Sequence, residues 1–179
     1  MHYSWSGKIE REPYHILEGH IGYVDMGILQ RKQVKKVLHE LKDTKAIIFD
    51  VRNYPKGTMY KIAKFLNTEK VPFAKFTRPD MSYPGVYRYT APYHCGKKNK
   101  NTYKGKVVLL FNESSQSHAE FTLMALQTAP NVIGIGSQTA GADGNVSEIT
   151  FPGNYKTKMT GIGVYYPDGR ETQRIGIVP

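Results

Sequence analysis

Hydrophobic and polar positions along the chain fall into blocks that predict strands separated by helices. Nearly continuous apolar runs at 45–51 and 106–111 are typical of strands buried on both faces of a parallel sheet. Apolar residues recur at helical spacing in 30–42 and 58–67, which predicts two amphipathic helices, and 131–135 predicts a further strand. Strands that alternate with helices favour an α/β domain with crossover connections.

The ends of the chain are patterned differently from its middle. Alternation at 19–25 predicts a short strand, so we expect the core to occupy 20–179 and residues 1–19 to form a poorly patterned N-terminal segment. The tail is predicted to be rich in β-structure, with a turn at 167–169. The stretch 71–103, which contains many tyrosines and prolines, has no clear periodicity and gives no prediction.

Composition narrows the class of protein. The 179 residues, 40% of them hydrophobic, suffice for one domain, and the sequence contains no apolar run that predicts an integral membrane segment and no signal peptide. The single cysteine, Cys95, excludes an internal disulfide and a cysteine-rich metal site, and we predict no metal and no cofactor. The net charge is +10, and the lysines of 97–106 form the densest basic cluster, which favours a solvated loop over a nucleic-acid surface.

The sequence around Ser117 carries the candidate chemistry. Ser117 follows the predicted strand 106–111 and precedes a helix, whose free N–H groups can stabilise an oxyanion during acyl transfer. The same tetrapeptide, 117–120, is also a capping box, and taken alone it favours a cap over a nucleophile. His118 lies beside Ser117, but the helix constrains it too much to act easily as the base.

Several segments match the motifs of one enzyme family in order and spacing. Residues 47–57 are similar to a strand and loop of the form Asp-Leu-Arg-Asn-Asn-Pro-Gly-Gly, 107–120 to a strand and turn ending in Ser-Ala-Ser-Glu, and 134–141 to Val-Gly-Glu-Pro-Thr-Phe-Gly; the closing segments 166–169 and 176–179 also fit. From residue 20 onwards the chain therefore resembles the tail-specific, or C-terminal processing, serine peptidases, particularly their tricorn-like branch. This resemblance implies an α/β fold with a crotonase-like (Clp-protease-like) β-β-α superhelix core.

The resemblance also assigns roles to individual positions. It implies that Ser117 is the nucleophile and that the backbone N–H groups of His118 and of Lys56 or Gly57 form the oxyanion hole. The lysine that acts as general base in the Ser-Lys members falls at Ala142, whose methyl group cannot accept a proton.

The tricorn-like branch instead takes its base, a histidine, from upstream and assists it with a serine and a late glutamate. Gln173 most nearly corresponds to that glutamate and is a candidate catalytic residue, although it carries no charge. His2 and His15 precede the core in unpatterned sequence, and only His15 is a candidate for testing. We therefore expect the base on a segment outside these 179 residues, with the chain alone weakly active or inactive.

The resulting expectation is a serine endopeptidase core that acts on peptide or protein substrates, in the periplasm or cell envelope. One alternative is a non-catalytic member of the same fold that binds peptides or other ligands, since Ala142 and Gln173 replace reactive groups. A third is a basic nucleic-acid-binding module, in which lysines of 97–106 bind phosphates and Tyr93 and Tyr103 stack on bases.

Overall fold

The computed structural model describes residues 12–179. Within them the chain forms eleven strands and three helices. In order, these are β1 (Tyr14–Leu17), β2 (Ile21–Asp25), α1 (Val34–Leu41), β3 (Ala46–Asp50), α2 (Met59–Leu66), β4 (Lys70–Pro79), β5 (Tyr87–Tyr89), β6 (Tyr93–Gly96), β7 (Lys106–Phe111), α3 (His118–Leu126), β8 (Val132–Gly136), β9 (Val146–Phe151), β10 (Tyr155–Thr160) and β11 (Val164–Tyr165).

Five strands form the central sheet, in the order β1-β2-β3-β7-β8. β2, β3, β7 and β8 are parallel, and a helix occurs in each connection between consecutive members. This arrangement confirms the α/β prediction. β1 adds an antiparallel edge, and its sequence gave no strand pattern because most of its side chains are exposed.

The helices cover one face of this sheet. Ile47 and Phe49 of β3 and Leu109 of β7 are fully buried, whereas their neighbours Ile48 and Leu110 are only partly buried. The prediction that these strands are buried on both faces was therefore wrong, because apolar residues occupy both faces but a layer of helices packs on one. α1 and α2 bury the predicted stripes, whereas α3 is buried on nearly all sides and is not amphipathic.

The unpatterned stretch 71–103 supplies most of a second, antiparallel sheet of order β11-β4-β5, with β6 also paired to β4. Its register shifts between Pro72 and Ala74, and such irregular strands lack the alternation on which prediction depends. The predicted turn at 167–169 is present, since Gly169 N–H donates to the carbonyl of Tyr166 (3.0 Å). Among the described residues no helix has both the length and the apolar character needed to cross a membrane.

Candidate active site

The loops that follow β3, β7 and β8 meet at the carboxyl edge of the parallel sheet. Ser115 joins all three: its hydroxyl donates to the carbonyl of Val51 (2.9 Å) and accepts from Asn112 N–H (3.2 Å), and its carbonyl accepts from Ala140 N–H (3.0 Å). Ligands of open α/β sheets bind at this edge. The role of Ser115 depends on contacts distant in sequence, and sequence reasoning missed it.

Ser117 occupies a strained backbone conformation between β7 and α3. Its φ of 54° and ψ of −119° are sparsely populated by residues other than glycine. In α/β-hydrolases a sharp strand-to-helix turn exposes the hydroxyl of the nucleophilic serine. A capping serine adopts an ordinary extended conformation, so a cap alone does not explain the strain.

Glu120 fixes Ser117 against the loop that follows β8. Its fully buried carboxylate accepts four hydrogen bonds: Oε2 accepts from the N–H groups of Ser117 (3.1 Å) and Ala142 (2.9 Å), and Oε1 from the Thr139 hydroxyl (2.6 Å) and Gly141 N–H (2.7 Å). The predicted capping box is present, but the serine hydroxyl makes no well-formed bond to the helix end. Glu120 is thus chiefly a tertiary tie, which the local sequence did not reveal.

A cavity of about 300 Å³ opens beside Ser117. Its walls include Ser117, His118 and Asp143 together with the aromatic side chains of Tyr54, Phe76 and Phe121. The Ser117 hydroxyl lies 3.4 Å from the Tyr54 hydroxyl. His118 Nε2 and Asp143 Oδ2 are buried here without a hydrogen-bond partner in residues 12–179.

Burial shifts both titratable groups of the cavity wall toward their neutral forms. Burial raises the pKa of Asp143 to about 7; the Gly144 N–H that donates to Oδ1 (2.7 Å) opposes the shift, and the Glu120 carboxylate adds to it. Burial also lowers the pKa of His118, which favours the neutral imidazole. Sequence reasoning missed Asp143, although it directly follows Ala142, where the Ser-Lys peptidases carry their base.

The backbone groups expected to form the oxyanion hole are available as donors. In the described part of the chain, no protein acceptor is bonded to the N–H groups of His118, Lys56 or Gly57. Gly57 has a φ of 68°, which glycine adopts at low cost. Tyr54, from the same loop as Lys56 and Gly57, extends to Ser117.

Gln173 is not among the residues that line the cavity. Its Nε2 donates to the carbonyls of Asp143 (2.7 Å) and Ile162 (2.9 Å). The side chain therefore fixes the loop that carries Asp143.

The structure describes one of the two upstream histidines, His15, and does not place it at the cavity. His15 lies on β1, with its ring 4.8 Å from that of Tyr23 on β2, and it does not line the cavity. His2 lies outside the described residues.

An ion pair between the buried carboxylate of Asp50 and the exposed Arg52 anchors the loop that contains Lys56 and Gly57. Asp50, at the end of β3, accepts from the Arg52 guanidinium (2.7 and 3.0 Å) and from the Tyr23 hydroxyl (2.5 Å). Burial favours a higher pKa for Asp50, but the hydrogen bonds from Arg52 and Tyr23 outweigh it, and the pKa lies below its ordinary value. Burial, with the bond to Asp50, raises the pKa of Tyr23 to about 12.

We expect Asp50→Asn to lower the free energy of unfolding by about 1–3 kcal/mol at pH 7. The folded pKa of Asp50 is depressed, so its charge stabilises the fold above the unfolded pKa and ceases to do so as pH falls below about 4. The difference from wild type should therefore shrink toward pH 3. Urea unfolding at pH 7, 5 and 3 measures it, with the exposed Asp43→Asn as control; an equal difference at every pH contradicts this account.

Two other residues discussed from the sequence, Cys95 and Tyr103, are buried away from solvent. Cys95 packs in the core with Sγ 3.4 Å from the carbonyl of Ala125, and burial raises its pKa, so it is unsuited to be a nucleophile. Tyr103 is only 6% exposed and donates its hydroxyl to the carbonyl of Thr44 (2.8 Å), so it cannot stack on bases as the nucleic-acid alternative requires. Residues 12–179 contain no cluster of three or more His, Cys, Asp or Glu side chains arranged to hold a metal.

A comparison with known protein families found a match over most of this chain. The model of peptidase family S41 matches residues 20–179. The chain belongs to peptidase family S41. This confirms the family expected from the motifs, and the mixed α/β fold is the one that S41 peptidases share. A comparison with curated protein sequences found no match.

Solved structures resemble the S41 chain at low identity. A putative peptidase from Parabacteroides merdae has a TM-score of 0.79 at 20% identity, over 93% of this chain and 55% of its own. The photosystem II D1 C-terminal processing protease has a TM-score of 0.67 at 15% identity, over 97% and 48%. The tricorn protease has a TM-score of 0.54 at 16% identity, over 90% of this chain and 15% of its own. The chain thus spans about half the length of the first two and less of the third.

Proposed function

We propose that this S41 chain is the catalytic core of a serine endopeptidase that forms an acyl-enzyme on Ser117. The observation that carries the proposal is the strained φ of 54° at Ser117, at the start of α3 and on the wall of a cavity. Strain of this kind persists where the surrounding structure maintains it for function, and here Glu120 and Ser115 maintain it.

The free amides supply the electrostatic part of this mechanism. As the Ser117 hydroxyl attacks a peptide carbonyl, the N–H of His118 and that of Lys56 or Gly57 donate to the developing oxyanion, and the partly positive end of α3 adds to their effect. Collapse of the tetrahedral intermediate expels the amine and leaves an acyl-enzyme, which water then hydrolyses. No metal or cofactor takes part in this scheme.

For the general base, the family resemblance supports a histidine on a segment outside these 179 residues. The chain alone then cleaves peptides weakly, because oxyanion stabilisation and binding by themselves give only about 10³-fold over water. In this scheme Gln173 acts by positioning, since its amide holds the carbonyls of Asp143 and Ile162 together.

The cavity supports peptide or protein substrates with an apolar side chain near the scissile bond, because its walls include the rings of Tyr54, Phe76 and Phe121. A periplasmic or cell-envelope location is consistent with a similar fold (TM-score 0.59) in a structure described as a lipoprotein from Streptococcus agalactiae, 19% identical. Fractionation of the source cells tests that location.

A non-catalytic peptide-binding role is the second candidate. It is favoured by Ala142, which lacks a basic group, and by the uncharged Gln173, whose Nε2 is occupied by two backbone carbonyls. Such a protein binds the peptide through the same cavity but does not acylate.

Covalent labelling separates the two candidates. We expect a fluorophosphonate, which phosphonylates activated serines, to modify the full-length protein once, at Ser117, as mapped by mass spectrometry of proteolytic fragments. Binding of peptides without any labelling at Ser117 would support the non-catalytic role, and an adduct on a different serine would contradict the assignment of the nucleophile.

A further inference from the structure

The cavity beside Ser117 contains a carboxyl group that the proposed mechanism does not use. Asp143 is only 6% exposed, and its Oδ1 accepts from Gly144 N–H (2.7 Å). Its Oδ2 is buried without a partner among residues 12–179, and Asp143 is one of the residues that line the same cavity as Ser117. An unpartnered buried carboxyl oxygen is costly, and in a cleft beside a nucleophile it indicates a functional group.

Two independent ties hold Asp143 in this place. Glu120 Oε2 accepts from both Ser117 N–H (3.1 Å) and Ala142 N–H (2.9 Å), so one oxygen atom joins the nucleophile to the residue before Asp143. On the other side, Gln173 donates to the Asp143 carbonyl (2.7 Å). The backbone on both sides of the Asp143 side chain is thereby fixed beside the cavity that Asp143 and Ser117 line.

We propose that Asp143 is the proton acceptor that this chain itself provides for Ser117, acting directly or through one water molecule. The proposal rests on the proposed serine-peptidase function and deepens it: Ser117 remains the nucleophile, and Asp143 replaces the histidine outside these 179 residues as the general base. It gives the chain a base one residue beyond Ala142, the position at which the Ser-Lys peptidases carry theirs.

The proton follows a closed path. Asp143 Oδ2 takes the proton from Ser117 Oγ as Oγ bonds to the carbonyl carbon, and the carbonyl π electrons move onto the oxyanion. When the oxyanion collapses, the C–N bond breaks and the neutral carboxyl returns the proton to the departing amine nitrogen. In deacylation a water molecule gives its proton to Asp143 as it attacks the ester, and the carboxyl then protonates Ser117 Oγ.

The protonation state of Asp143 suits this role. With a pKa raised by burial to about 7, the carboxylate form accumulates near neutral pH and is a stronger base than an ordinary aspartate. The titratable groups that face it are His118 and Glu120 of α3 and Tyr54 of the loop after β3. β4 contributes only the phenyl ring of Phe76, and the C-terminal segment only the amide of Gln173.

The test is the rate at which a fluorophosphonate labels Ser117 in the 179-residue chain between pH 5 and 9. We expect the wild-type rate to rise with a midpoint near pH 7 and then level off. Asp143→Asn should label at least about 100-fold more slowly and lose that midpoint. Asp43→Asn, at the opposite end of β3, should match wild type, and His118→Gln should keep the midpoint near 7, which excludes His118 as the titrating group.

Stability provides a second readout and a check on folding. Because the pKa of Asp143 is raised in the folded state, the free energy of unfolding of wild type should fall as pH rises from about 4 to 7. The Asp143→Asn chain has no carboxyl group at this position and should not show this fall. Should Asp143→Asn fail to fold, Asp143→Ala with added formate replaces it, and formate is expected to restore part of the labelling.

The outcomes distinguish this inference from the function on which it rests. If wild type is labelled at Ser117 and Asp143→Asn is labelled with the same rate and the same midpoint, Asp143 is not the proton acceptor, but Ser117 remains the nucleophile. If a longer form of the protein is labelled but the 179-residue chain is not labelled at any pH, Asp143 is again not the proton acceptor, and the result supports a base outside the 179 residues. Labelling that persists in Ser117→Ala removes the proposed function itself.

Discussion

Replacing Ser117 with alanine in the full-length protein is expected to lower kcat for peptide cleavage by roughly 10⁴-fold or more, with little change in substrate binding. Removing the nucleophile of a serine peptidase leaves only the contribution of the oxyanion hole and of binding. The measurement is steady-state hydrolysis of a fluorogenic peptide library, together with the affinity of the variant for any peptide that wild type cleaves.

The matched control is Ser114→Ala. Ser114 is an exposed serine of the same turn, and its replacement should leave kcat unchanged. Ser117→Gly adds a test of the strain, because glycine adopts the positive φ at less cost; we expect it to be inactive and about 1 kcal/mol more stable than Ser117→Ala. Cleavage by Ser117→Ala within a few fold of wild type would remove Ser117 from the mechanism.

Glu120→Ala is expected to destabilise the fold by about 3–5 kcal/mol. The substitution leaves four buried or partly buried donors without this acceptor, on Ser117, Thr139, Gly141 and Ala142. Glu120→Gln should cost only somewhat less, about 2–3 kcal/mol, because its NH₂ group must face two of these donors instead of accepting from them. Urea unfolding monitored by circular dichroism at pH 7 gives both values.

Fluorophosphonate labelling provides a functional readout of the same tie. In folded Glu120→Gln, Ser117 should label at least about tenfold more slowly than in wild type, because its backbone is no longer fixed against the loop that carries Asp143. The control is Glu148→Ala, which removes an exposed salt bridge to Lys156 and should change stability by at most about 1 kcal/mol. Equal effects of the Glu120 and Glu148 substitutions would show that Glu120 is not the tie.

The sequence predicted those elements whose pattern depends on residues close together in the chain, and it failed where the structure depends on residues far apart. The helices of 34–41 and 59–66 were predictable because each buries one stripe that local periodicity displays. β4 was not predictable, because two of its residues are prolines and its register shifts between Pro72 and Ala74. β9 and β10 were covered only by the general prediction of a tail rich in β-structure, and their bounds were not predictable, since each of their residues is exposed and the two strands pair with each other.

The sequence by itself determined the α/β class, the family and the position of Ser117 between a strand and a helix, because periodicity and linear motifs are local properties of the chain. Only the tertiary structure decided what surrounds Ser117. Its strain, the buried carboxylate of Glu120 and the unpartnered oxygen of Asp143 arise where three loops distant in sequence meet at one edge of the sheet. Burial there also sets the pKa of Asp143, and no linear pattern encodes burial of a single carboxyl group.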